Sequence, residues 1–147
     1  MRVSGAVELQ DALKAMGARV QAATPLALGV AASLVEGRAR AQLSRYSHQR
    51  GTVTPAPPGG PPALVTGVLR SSFELLGPTE AGAASWRAVL GPTAPYARVQ
   101  ELGGDTGRGH RTRLPARPYL RPSAESMVRD RAFLDVFARA WGRAVTG

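Results

Sequence analysis

The chain contains no cysteine, which excludes disulfides and thiolate metal sites. It holds a single lysine, Lys14, beside 18 arginines, and 19 basic residues against 10 acidic ones leave a formal charge of +9. Aromatics make up only 5% of the 147 residues, too few for a base-stacking platform of the kind that reads single strands. No run approaches the roughly 20 apolar residues of a membrane span. Acids at Glu8 and Asp11 interrupt the place where a signal peptide would be purely apolar. The reading is a soluble, unexported chain that makes no membrane contact. Because arginine is accompanied by abundant Ala, Gly and Pro, its excess reflects residue usage as much as phosphate recognition.

A hydrophobic content of 44% suffices for one core in a domain of this length, so residues 1–147 are expected to form a single domain. A short strand is expected at residues 2–4. Leu9, Leu13, Met16 and Val20 then recur at helical spacing and predict a first helix. Thr24 before Pro25 is a start signal for a second, running to about Tyr46. Residues 47–62, "SHQRGTVTPAPPGGPP", have too little apolar content and too much proline for a helix, and read as a mobile arm. Residues 72–76 and 85–90 read as two strands of a β-hairpin joined through Gly-Pro and Gly-Ala turns. "APYARVQELGG" predicts a short helix ended by Gly103 and Gly104, and residues 105–113 a second flexible loop. Met127, Leu134, Phe137, Trp141 and Ala144 mark one face of a last helix starting near Pro122. The fold class is α+β: a small antiparallel sheet packed by N-terminal helices and a C-terminal helix, with long mobile loops.

An enzyme needs proton-exchanging or nucleophilic groups held at a common site, and the supply is thin. His48 and His110 both fall in the loops and read as solvated residues. Glu101 and Asp105 are the only acids near the arginine-rich stretch; the glycines between them argue against a shared helix face, and ion pairing with Arg98 or Arg117 is the expectation. "GGDTGRG" lacks the order of a phosphate-binding loop. No catalytic, metal or cofactor site is expected. Two arginine runs, Arg38 to Arg50 and Arg108 to Arg121, keep a basic nucleic-acid-binding module open as an alternative, although no recognition-helix pattern accompanies them. Trp86, Phe133, Phe137 and Trp141 are expected in the core or at subunit contacts.

The stretch "RLPARPYLRP" spaces Arg113, Arg117 and Arg121 as a helix would, but Pro115, Pro118 and Pro122 oppose one. As an extended ribbon it would put Arg113, Pro115, Arg117, Tyr119 and Arg121 on one side and Leu114, Ala116, Pro118, Leu120 and Pro122 on the other.

Three short motifs occur in a fixed order. Thr66, Gly67, Leu69, Arg70 and Ser72 are similar to "TGxLxxS"; Tyr96, Ala97, Glu101 and Gly103 to "YAxxxExG"; and Pro115, Arg117, Pro118, Tyr119, Leu120, Arg121 and Pro122 to "PARPFLRP". With the helix, hairpin and helix around them, the chain resembles the head-tail connector proteins of long-tailed bacteriophages, a neck and tail-completion family that includes lambdoid minor tail components of the Z type. The resemblance covers nearly the whole chain. It departs at Leu102, where an aromatic is usual, at Ser123, where alanine is usual, and in the Gly/Arg-rich loop.

The resemblance implies a structural virion protein without enzymatic activity or cofactor. It implies a ring, commonly six-fold, between a head-side connector or portal-associated protein and the tail tube or terminator, with DNA passing non-specifically through the lumen. A tail terminator or other completion ring is the alternative within the virion. Ring contacts are heterologous and need two different patches per subunit. The candidates are Arg70, Tyr96, Glu101, Arg113, Arg117, Tyr119, Leu120 and Arg121, with the arginines reaching acids of the next subunit such as Glu101. The arm and the Gly/Arg-rich loop are expected to order on assembly.

Overall fold

The computed structural model describes residues 4–51, 56–57 and 59–146. It is an α+β fold whose organising element is one long helix, α1 (Ser4–Gln42). A short helix α2 (Val68–Ser71) leads into the hairpin β1 (Phe73–Gly82) and β2 (Ser85–Pro92). Then come α3 (Ala97–Leu102), a second small hairpin of β3 (Gly104–Thr106) and β4 (Thr112–Leu114), and the helices α4 (Leu120–Arg129) and α5 (Ala132–Thr146). Each hairpin is an antiparallel two-stranded sheet.

Two helices were expected where α1 is continuous, and Pro25 lies inside it. The Thr24 hydroxyl, expected as a cap, instead donates back to the Val20 carbonyl at 2.8 Å, and Trp141 Nε1 of α5 donates to Thr24 Oγ1 at 3.1 Å. Packing from α5 thus spans the backbone bond that proline cannot make. Of the strand expected at residues 2–4, Arg2 and Val3 lie outside the described residues and Ser4 opens α1.

The small side chains Ala27, Ala31 and Ala39 of α1, all buried, let other elements approach closely along its length. Near its C-terminal end, Ala39 and Leu43 join Leu69, Phe73, Ala94, Ala97 and Tyr119 in the main core. Phe73 and Tyr119 meet edge to face there, ring centres 6.3 Å apart, a favourable aromatic geometry. Further up, Ala27 and Ala31 pack with Val136 of α5, flanked by Phe133, Phe137 and Ala140.

The expected hairpin forms with Leu75 opposite Leu90 and Leu76 opposite Val89, and its register shifts between Leu76 and Thr79, at the Gly-Pro pair expected in the turn. The loop expected at residues 105–113 is instead ordered as the β3/β4 hairpin, pairing Asp105 with Arg113 and Thr106 with Thr112. The single C-terminal helix is in fact two. The chain turns at Asp130 and Arg131, the latter at φ 56°, and Arg38 of α1 pins the corner by donating to Ser126 Oγ at 2.6 Å and Asp130 Oδ2 at 2.7 Å. Val136 therefore faces the core, while Leu134, expected on that face, is exposed.

The arm is also more anchored than its composition suggests. Ser47 bridges Leu64, Pro61 and Pro62 are buried, and Arg117 donates to the carbonyls of Ala56 and Pro57. Residues 52–55 and 58 of the arm lie outside the described residues.

Candidate assembly surfaces

The three sequence motifs, distant in the chain, converge on one junction. Ser72 closes the first: its hydroxyl donates to the Leu69 carbonyl at 3.0 Å, and its carbonyl accepts from Thr93 N at 2.8 Å. This fixes the hairpin against the segment that enters α3. From α3, the Glu101 carboxylate reaches the start of α4. Oε2 accepts from the amides of Tyr119 and Leu120 at 2.8 and 3.0 Å, and Oε1 from Arg121 N at 2.9 Å.

Helix α4 has no acid in its own first turn, and Tyr119 at its N-cap makes no side-chain cap. Glu101 supplies both functions from another element, satisfying amides that lack helical partners and placing a negative charge at the positive end of the helix dipole. Beside it, Arg117 N donates to the Gln100 carbonyl at 2.7 Å. Gly103 ends α3 at φ 72°, with the backbone of Leu114 and Ala116 against it.

The ribbon is extended only as far as Pro118. From Leu120 it is helical, and Pro122 falls in the first turn, where an amide needs no intrahelical partner. Tyr119, expected on the basic side, is instead only 1% exposed and lies in the core, its hydroxyl donating to the Ala97 carbonyl at 3.3 Å. Burial raises the Tyr119 pKa, with the Glu101 carboxylate and then Tyr96 adding to the effect.

A tyrosine whose folded-state pKa is raised stabilises the fold fully below its ordinary value of about 10 and loses that contribution as pH rises beyond it. Thermal melts of wild type should therefore fall steeply above about pH 10, and Tyr119→Phe should flatten that fall at a cost of about 1 kcal/mol near neutrality for the lost hydrogen bond.

The remaining candidates divide. Leu120 packs on the main core, whereas Arg113 and Arg121 are exposed and pair with Asp105 at 3.7 Å and Glu125 at 2.7 Å, solvated contacts of small value. Hydrogen bonding to Glu125 raises the Arg121 pKa. Arg70 donates to Ser44 Oγ at 3.0 Å and, with Tyr96, lines a cleft of about 180 Å³ floored by Leu43, Leu64 and Leu69. Glu101 and Arg117 each have partners within their own chain. Asp105 pairs with Arg113, and not with either arginine expected for it.

The arginine run at residues 38–50 is largely occupied too. Arg38 holds the α4/α5 corner, Arg40 pairs with Glu36 at 2.6 Å, and Arg45 donates to Gln42 Oε1 at 3.2 Å. His48 Nδ1 lies 3.0 Å from the Gln49 carbonyl oxygen. Among the described residues, no three of His, Asp and Glu gather as metal ligands would.

A larger surface leaves little trace in the sequence. Between α1 and α5 runs an open groove of about 680 Å³, lined by Leu26, Val30 and Leu34 on one wall and Val136, Ala140 and Ala144 on the other, with Arg139 and Arg143 along it. The helix that builds it also departs from the expectation about membranes. The span Gly5–Gln42 includes an 18-residue window of mean hydropathy 1.3, of which 17% is buried, so by length and composition alone this helix is apolar enough to cross a bilayer. Scattered Gln, Thr, Pro and Ser hide that property from a search for an unbroken apolar run. The available signal was Leu26, Val30 and Leu34 at a spacing of four.

The described elements thus define an α+β chain in which signature motifs build an internal junction and apolar helix surface is left open. Over 33 residues the chain is 46% identical to the protein named Mu-like prophage FluMu G protein 2 of Haemophilus influenzae. That match covers 22% of this chain and 24% of the relative, so it spans about a quarter of the curated protein's length and associates the chain with phage proteins. No family model matches the chain. No solved structure matches it.

Proposed function

We infer that the chain is a structural, non-enzymatic virion subunit that assembles into a ring at the head-tail junction of a long-tailed phage, between a head-side connector and the tail. One observation carries this reading. Three motifs resembling those of neck proteins, separated by up to about fifty residues, meet at a single junction, where Leu69, Ala97 and Tyr119 share one core cluster, Glu101 caps the start of α4 and Gly103 lies against Ala116. Unrelated chance matches have no reason to meet in space. The similarity to a prophage protein supports the same association, and the open apolar groove supplies a surface that an assembling subunit needs.

The net charge of +9 favours a second reading, a basic nucleic-acid-binding module. The engagement of Arg38, Arg40 and Arg45 within the chain weakens it. Sedimentation and electron microscopy with and without duplex DNA separate the two. A ring subunit gives discrete oligomers whose DNA affinity vanishes with salt; a binding module stays small and holds DNA at physiological salt. Arg113→Ala with Arg121→Ala leaves the monomer folded in either case, because both side chains are solvated.

A further inference from the structure

Among the described residues, the first turns of α1 have no cover. Residues 5–15 are exposed at every position, including Leu9 at 61% and Leu13 at 53%. The reason is geometric: α5 runs antiparallel to α1, with Val136 on Ala27 and Ala31, Trp141 on Thr24, and the Ala144 carbonyl accepting from Arg19 Nε at 2.8 Å. Helix α5 ends at Thr146, so it gives out just beyond Arg19. The apolar stripe of α1 does not stop there. Leu9, Leu13, Met16 and Val20 continue, at spacings of three and four, the helix face that Ala27 and Ala31 present to α5. A helix whose first three turns find no partner among the described residues gains little from propensity alone.

We propose that this projecting end of α1 docks into the α1/α5 groove of a second copy of the chain, a heterologous contact that joins successive subunits. The contact rests on the self-assembling part of the proposed function and not on where in the virion the ring sits. Three observations select a second copy. The dimensions agree: residues 5–15 span about 15 Å of helix, and the groove wall from Ala23 to Leu34 spans about 17 Å. The surfaces agree, since Leu9 and Leu13 would meet Leu26, 74% exposed, and Val30, 54% exposed. The charges agree as well. The projection carries Glu8 on one flank of its Leu9/Leu13 face and Lys14 on the other, with Asp11 on the far side, so Glu8 is the acid that would meet the groove edge of Arg139 and Arg143. Donor and acceptor are different patches of one subunit, as a ring or filament contact requires.

The experiment uses the full chain and two pairs of substitutions at exposed positions. Leu9→Asp with Leu13→Asp disables the donor, and Leu26→Asp with Val30→Asp disables the acceptor. Circular dichroism should show both folded. By sedimentation velocity each variant alone should self-associate more weakly than wild type by about tenfold or more, while a mixture of the two should regain one intact contact and stop at a one-to-one dimer.

A second measurement uses the absence of native cysteine. Leu13→Cys with Val30→Cys cannot close within one helix, where the two positions lie about 25 Å apart. Under oxidation it should instead yield a ladder of cross-linked oligomers. Assemblies that survive both aspartate pairs and give no ladder overturn this contact while leaving the ring reading intact. A wild-type chain that stays monomeric overturns both. Sedimentation with vesicles of phosphatidylcholine and phosphatidylglycerol, abolished by the acceptor substitutions and without oligomers, overturns it in favour of a lipid surface.

Discussion

Gly103→Ala should destabilise the fold by roughly 3–5 kcal/mol, the range in which strain at a special backbone conformation adds to a collision with atoms that cannot rotate away. Gly103 sits at φ 72° between α3 and β3, and a Cβ there would lie 2.8 Å from Ala116 N and 3.0 Å from the Leu114 carbonyl oxygen. Both neighbours are backbone. Relief would require the segment that follows the β3/β4 hairpin to move off α3, and with it the Arg117 amide bonded to Gln100. Gly142→Ala is the matched control. Its Cβ would meet nothing within 4 Å in the middle of α5, so it should stabilise by about 0.5–1 kcal/mol through the entropy lost to glycine in a helix. Chemical denaturation of both variants measures the contrast.

Glu101→Ala should cost about 2–3 kcal/mol, more than an ordinary N-cap, because one carboxylate accepts from three successive amides at the start of α4. In a chain of 147 residues that is a fall in Tm of roughly 5–10 °C. Glu101→Gln should lose about half as much, since the amide keeps one accepting oxygen but turns a donor toward an amide hydrogen. The outcome separates two roles for this residue. A carboxylate whose task is to meet an arginine of a neighbouring subunit would leave the isolated monomer's melting unchanged on substitution. The cap lowers it even where no assembly forms.

These expectations mark what was legible in the sequence. The α+β class, the hairpin after Phe73 and the glycine end of α3 follow from local signals, namely alternation, turn residues and a C-cap, and local contacts satisfy them in the fold. The continuity of α1 and the break between α4 and α5 are decided by tertiary contacts, which local signals do not carry. Trp141 and α5 carry α1 through Pro25, whereas Arg38 holds a turn at Asp130 that no proline or glycine announces. Residues 105–113 look flexible by composition, yet cross-strand pairing between Asp105 and Arg113 orders them.

The candidate residues were legible as a group and not in their roles. Glu101, Tyr119 and Leu120, expected as contacts to a neighbouring subunit, meet one another within the chain instead, and the alternation of the ribbon misplaced Tyr119 because helix α4 begins there. A glutamate that caps a helix eighteen residues downstream leaves no local trace, since the capping signature concerns residues three apart. Leu26 and Val30 left only their spacing of four, which does not say what covers them. An apolar helix face looks the same in sequence whether its own chain covers it or another copy does.

The subunit mass in solution tests the account most directly. Sedimentation equilibrium of the purified chain, with and without duplex DNA at physiological salt, should give a discrete multimer of the 15.4 kDa subunit whose mass DNA does not change. A monomer that binds DNA tightly under those conditions would contradict it.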